Sequence, residues 1–300
     1  MVNSKPRIAF CFSWQARTLD QTYLFFQKNL FNAAKKQWFV YDVFCAVEDD
    51  EDVNKVKLLN PTKVEKIKSK DVEIKKINKI YNNLHDKNLK YFDSEYLQFL
   101  IKSTLNQWYK IERSIELWMD YGEIKDIKYD IIFRLRFDGY FNNVLNFNNI
   151  LTQLQLTPVI VNRFNFNPNR LRSISDYYFI CTQSIVKKLK LIDNYKKVVY
   201  ENISIRFLIP HIASKIILFF LKINHNIKIL SQNTLEIIKK KYAFWVFVPE
   251  ILLYKMFIVN DVKLKITSMN FSLKRKNWEI ITLPLNKRVN NYLEINCEAN

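Results

Sequence analysis

The segment Tyr129-Asp130-Ile131-Ile132-Phe133-Arg134-Leu135-Arg136-Phe137-Asp138-Gly139 carries the side chains best suited to chemistry. β-Branched and aromatic residues dominate it from Ile131 to Phe137, which predicts a strand. Side chains alternate across a strand, so Arg134, Arg136 and Asp138 share one face while Phe133, Leu135 and Phe137 share the other. Two guanidinium groups and a carboxylate on so apolar a strand need partners if they are buried. Either they pair with one another, or they face an anionic ligand at the strand's C-terminal end, the edge where open α/β sheets bind ligands. A second charged group, Glu48-Asp49-Asp50-Glu51-Asp52, directly follows the apolar run Tyr41 to Val47. It reads as a solvated loop, or else as carboxylates gathered past a strand end for a divalent cation.

Composition removes most other chemistries. The 300 residues include two glycines, Gly122 and Gly139, where average usage gives roughly twenty. A P-loop or a Rossmann phosphate turn needs several glycines so that the backbone can approach a phosphate, and neither is present. His85, His211 and His225 stand apart, which argues against imidazole-rich metal sites and Ser-His-Asp catalysis. Cys11, Cys45, Cys181 and Cys297 show no CxxC spacing, and three of them lie in apolar runs. That is the pattern of core thiols in a reduced, intracellular protein without a zinc or iron-sulfur centre. The opening MVNSKPRIAFCFSWQAR shows no secretory pattern, so a cytoplasmic location is expected.

The 47 Lys and Arg against 29 Asp and Glu give a formal net charge of +18. Part of this follows from the Lys, Asn, Ile, Phe and Tyr usage of an A/T-rich genome; the rest favours anionic partners. The lysines are dispersed, and no helix-turn-helix, zinc-finger or RNP pattern is visible, so dedicated nucleic-acid binding is not expected. Residues 203–223 (ISIRFLIPHIASKIILFFLKI) are interrupted by Arg206, Pro210, His211 and Lys215. Their longest fully apolar run, Ile216 to Leu221, falls far short of the roughly 20 residues that span a bilayer. The stretch is a core helix or one that lies on a membrane, and with the net charge it makes peripheral contact with the inner membrane face an open reading.

The elements that must position these groups alternate between α and β. Arg7 to Phe12 and Tyr41 to Val47 read as strands, with a helix over 20–36 between them and Asp20 as its N-cap. Val64 to Lys68 suggests an edge strand. A long helix over Ser94 to Met119 is predicted by apolar Leu97, Ile101, Leu105, Trp108, Ile111, Ile115 and Trp118, with Gly122 as a left-handed C-cap. Pro158 to Asn162 and Asp176 to Thr182 read as strands, and Gln183 to Leu191 as a helix. Pro249 to Tyr254 opens a helix with proline in its first turn and Glu250 beside it. Val262 to Ile266 and Ser268 to Leu273 look like terminal strands. One α/β domain over 1–300 is expected, with C-terminal helical additions.

Four segments, in order, resemble a family of glycosyltransferases of polysaccharide and lipopolysaccharide clusters and of large DNA viruses. Ile8 to Thr18 is similar to the family's opening strand and S-G-Q-x-R-T turn, with Trp14 standing where the family has glycine. Gln107-Trp108-Tyr109-Lys110-Ile111 resembles its polar-aromatic helix motif, and Tyr129 to Asp138 its Y-D-x-x-x-R-x-R-x-D strand. Ile174 to Ile180 and Val248 to Leu253 resemble its D-x-F strand and P-E-x-x-L helix start.

The resemblance implies a GT-A-like nucleotide-binding mixed sheet flanked by helices, with residues 1–192 as the nucleotide-sugar-binding core and 193–300 on the acceptor side. It implies transfer of a sugar from a nucleotide-sugar donor to a glycan or lipid-linked acceptor. Ser13, Gln15 and Arg17 would dock the donor beside Arg134, Arg136 and Asp138. The departing diphosphate needs its charge stabilised. Either Asp138 ligates Mg²⁺ or Mn²⁺ for that purpose, or Arg134 and Arg136 pair with the phosphates themselves. With so few histidines, the acceptor's proton falls to a carboxylate, Glu250 or Asp176. A degenerate module that binds nucleotide or glycan without turnover, and a basic membrane-surface or nucleic-acid-binding protein, are the rival readings.

Overall fold

Strand β1, Arg7–Trp14, is buried from Ile8 to Ser13 on both faces. A strand covered by helices on both sides reads in this way as a continuous apolar run. The computed structural model describes residues 5–68, 94–163, 174–191, 194, 198, 253, 256, 257, 260, 262–267 and 271–273. The further strands are β2 (Val40–Glu48), β3 (Lys63–Ile67), β4 (Ile131–Arg136), β5 (Gly139–Phe141), β6 (Val159–Arg163), β7 (Ile174–Cys181), β8 (Leu264–Thr267) and β9 (Phe271–Leu273). The helices are α1 (Leu19–Phe26), α2 (Asn32–Lys36), α3 (Ser94–Lys125), α4 (Phe147–Leu156) and α5 (Gln183–Leu189).

Seven strands form one mixed sheet in the order β3-β2-β1-β4-β7-β6-β8, and β5 pairs with β9 separately. The β3, β2, β1 and β4 neighbours run parallel, β7 runs antiparallel to both β4 and β6, and β8 is parallel to β6. The chain is thus an α/β protein with helices on both faces of a mixed sheet. On one face Phe10, Phe12, Phe133 and Phe137 pack with Phe26, Leu30 and Phe31 and with Phe147 and Ile150 of α4. On the other, Trp108, Ile111, Ile115 and Trp118 of α3 cover Ala9, Cys11, Phe44, Ala46 and Ile132. Their spacing of three and four is the helical period that the sequence displays.

Three expectations change in detail. Asp20 is not the N-cap of the first helix; it lies in the first turn of α1, and Thr18 holds the cap position. The helix expected over 20–36 is interrupted by a π-helical turn, Gln27–Phe31, between α1 and α2. Buried Asn29 explains it: its side-chain amide donates to the Phe141 carbonyl at 2.5 Å, and its own carbonyl accepts from Leu145 N–H at 3.1 Å. A π-turn releases a carbonyl from the helical ladder for such a use.

Gly122 is not the left-handed cap of the long helix. It lies inside α3, and Asp126 takes the positive φ, 50°. Glycine is needed at 122 for space, because a Cβ there would stand 2.9 Å from the Ile127 carbonyl oxygen. The proline-led helix start at 249–254, the apolar stretch 203–223, Cys297 and all three histidines lie outside the described residues.

Candidate functional site

After β1 the chain crosses one face through α1 and α2 to reach β2, and after β3 it crosses the other face through α3 to reach β4. The strands therefore diverge between β1 and β4, and the C-terminal ends of these neighbours border the crevice in which such sheets take ligands. The register sets Cys11 beside Arg134 and Ser13 beside Arg136. Arg134 is fully buried, and its Nε and Nη2 donate to Ser13 Oγ at 3.3 and 3.1 Å. Arg136, nearly buried, holds Asp138 through Nε–Oδ1 and Nη2–Oδ2 contacts of 2.8 and 2.7 Å. The alternation read from the sequence has placed both arginines on the α3 face and Phe133, Leu135 and Phe137 on the opposite one. Beyond β4, Thr22 donates to the Phe137 carbonyl at 2.7 Å and so fixes the backbone that carries Asp138.

Three residues that the sequence named without placing them beside these arginines complete the cluster. Lys110 of α3 is buried, and its ammonium pairs with Glu48 at the end of β2. Trp14, the last residue of β1, has φ 116°, a conformation that L side chains rarely adopt and one of order 1–3 kcal/mol in strain. Trp14 thus keeps a backbone that glycine serves more easily, at the position where the resembling family has glycine. Its ring lies 5.3 Å from Lys110 Nζ and 5.0 Å from Arg136 Cζ, so two cations share one indole. Burial first, and then the Arg17 charge, pull Lys110 down to about 8 despite the carboxylate beside it. Arg17 itself is exposed, and Gln15 is half-buried. A signal for Lys110 was present: Gln107, Lys110 and Ser114 recur at helical spacing within the apolar stripe of α3, and all three are buried.

Among the described residues, the cluster holds Arg17, Lys110, Arg134 and Arg136 against Glu48 and Asp138, an excess of positive charge suited to a di- or polyanion. The acidic run 48–52 has internal uses. Glu48 pairs with Lys110, Asp50 accepts from Asp52 N–H at 3.0 Å, and Asp52 pairs with Lys55 at 3.0 Å. Among the described residues no group of three His, Cys, Asp or Glu could hold a metal ion. Asp138 is the carboxylate that the resemblance marks as a metal ligand, and each of its oxygens accepts from Arg136. This donor set does not fit a hard divalent cation, which takes six or more oxygen ligands.

Asp176 lies on β7, three residues from Phe179, the partner of Arg134. Glu250 lies outside the described residues, so its distance from the arginines is not part of this geometry. The buried thiols of Cys11, Cys45 and Cys181 are raised well above the ordinary range by burial, which makes them poor nucleophiles. No helix among the described residues is long and apolar enough to cross a membrane.

No protein-family model and no curated protein matches this sequence. Among solved structures, the chain is similar to the apo form of mouse xyloside xylosyltransferase 1, at 12% identity and a TM-score of 0.32, over 64% of this chain and 72% of that one.

Proposed function

We propose that this protein is a glycosyltransferase that moves a sugar from a nucleotide-sugar donor to a glycan or lipid-linked acceptor in surface polysaccharide or glycan synthesis. The observation that carries the reading is the pair Arg134 and Arg136, buried on the last inward positions of β4 beside Ser13, at the strand divergence. Buried guanidinium groups at that edge supply directional donors for a diphosphate. The resemblance of the four sequence segments supports the same reading. In it, Ser13, Gln15 and Arg17 line the donor side, and Arg134, Arg136 and Lys110 stabilise the charge that grows on the departing diphosphate. Glu250 takes the proton of the acceptor hydroxyl, with Asp176 as the next choice.

The Arg136–Asp138 pair favours a second reading, a module that binds a nucleotide or glycan without turnover, because it satisfies one arginine internally. Calorimetry with UDP-, GDP- and CMP-sugars, with and without Mn²⁺, followed by hydrolysis and transfer assays, separates the two. Binding with turnover supports the transferase, and binding without turnover supports the module. No response to any donor removes both.

A further inference from the structure

At the opposite edge of the sheet, α2 ends in a turn in which Phe39 N–H donates to the Ala34 carbonyl at 3.0 Å and Trp38 N–H to that of Lys35 at 3.1 Å. This is the Schellman arrangement, whose left-handed residue is ordinarily glycine. Here it is Trp38, at φ 66°. Elsewhere among the described residues, positive φ falls on Asn60 (φ 48°) and Asp126 (φ 50°), short polar side chains that tolerate the conformation, and also on Trp14 (φ 116°) and Lys190 (φ 23°).

Trp38 is 71% exposed, so its ring is not retained for the core. It forms the rim of a cleft of about 430 Å³ lined by Lys5, Lys35, Lys36, Trp38, Phe39 and Val40. Lys5 Nζ stands 5.0 Å from the Trp38 ring, and all three lysines are exposed. Among the described residues, no carboxylate lines the cleft. Exposed Val144 adjoins the same turn, since Gln37 donates to the carbonyl of the next residue, Leu145, at 2.7 Å.

We propose that this cleft docks the protein on an anionic phospholipid surface, with Lys5, Lys35 and Lys36 against lipid phosphates and the Trp38 indole at the headgroup level. An exposed indole held among three exposed lysines matches that boundary in both respects. Its ring is apolar with a polar edge, which suits the interface, and each lysine near an anionic leaflet favours binding by about fivefold. This inference is independent of the sugar-transfer reading, because the cleft lies at the start of β1 and β2 and the arginine cluster at their far ends.

The test is co-sedimentation of the full chain with vesicles of phosphatidylcholine alone and of phosphatidylcholine with phosphatidylserine, at low and high salt. The expected result is binding to the anionic vesicles that falls with salt. Lys35→Gln with Lys36→Gln should weaken it roughly 30-fold. Trp38→Gly should also weaken it while leaving the melting temperature no lower, because glycine accepts the left-handed backbone. Absence of binding to the anionic vesicles overturns the proposal. So does unchanged binding by the combined K35Q, K36Q and W38G variant, which would assign the contact to another surface. Tight binding to duplex DNA that the same three substitutions abolish, with vesicles ignored, would make the cleft a nucleic-acid site instead.

Discussion

Lys110→Met removes one partner of a buried ion pair and leaves the shape of α3 intact. Lys110 is 3% and Glu48 8% exposed, so water cannot replace the ammonium around the carboxylate. Breaking such a pair from one side destabilises by about 3–5 kcal/mol, a large part of the 5–15 kcal/mol typical of a whole domain. Adding Glu48→Gln removes the second charge and should recover most of the loss.

The pH dependence provides a second reading of the same pair. Lys110 is held near 8, whereas an unfolded lysine titrates near 10.4. Between those values the unfolded chain binds more protons than the folded one, so raising the pH stabilises the fold. Urea unfolding of the parent, the single variant and the double variant at pH 7 and pH 10 measures both effects. If Lys110→Met unfolds at the parent's midpoint, or still shows the alkaline rise, the buried-pair argument is wrong.

Four further outcomes follow from the same geometry. Asp138→Asn relieves Arg136 of its carboxylate and should tighten binding of a nucleoside diphosphate in EDTA, measured by calorimetry; weaker binding confined to Mn²⁺-containing buffer would instead make Asp138 a metal ligand. Glu250→Gln should keep donor binding and lower sugar transfer by about 10²-fold or more, and transfer at the parent rate would pass the role to Asp176. Trp14→Ala should melt lower than Trp14→Gly, because alanine loses the ring and keeps the strained backbone; the reverse order would show that φ 116° carries no strain. Gly122→Ala should lower the melting temperature, although alanine is the better helix former by about 1 kcal/mol, because its Cβ meets the Ile127 carbonyl at 2.9 Å.

Local pattern carried the sheet and its charged strand. β1, β2 and β4 read as strands because each is apolar, and the two-residue period alone sorted Arg134 and Arg136 from Phe133 and Leu135. Long-range pairing is not written in any window of sequence. Glu48 sat in a run of five acidic residues, and nothing local distinguished it as the partner of Lys110, 62 residues away. The π-turn in the first helix likewise depends on Asn29 meeting the Phe141 carbonyl across 112 residues. Gly122 misled because a glycine near a helix end usually serves φ; its use here is to let a backbone carbonyl approach. Trp14 was legible only as a departure from glycine, and its role between two cations needed the fold.

Cys11, Cys45 and Cys181 sit on three different strands of the central sheet, all fully buried. A thiol reagent reaches them only when those strands part, so their rate of alkylation counts sheet openings one event at a time. Cys11 borders the strand divergence on β1, whereas Cys45 on β2 and Cys181 on β7 each lie one strand further out, on opposite sides of it. The molecule therefore carries its own clock on each half of the sheet, and a ligand gripping the β1–β4 crevice should slow the Cys11 hand more than the other two.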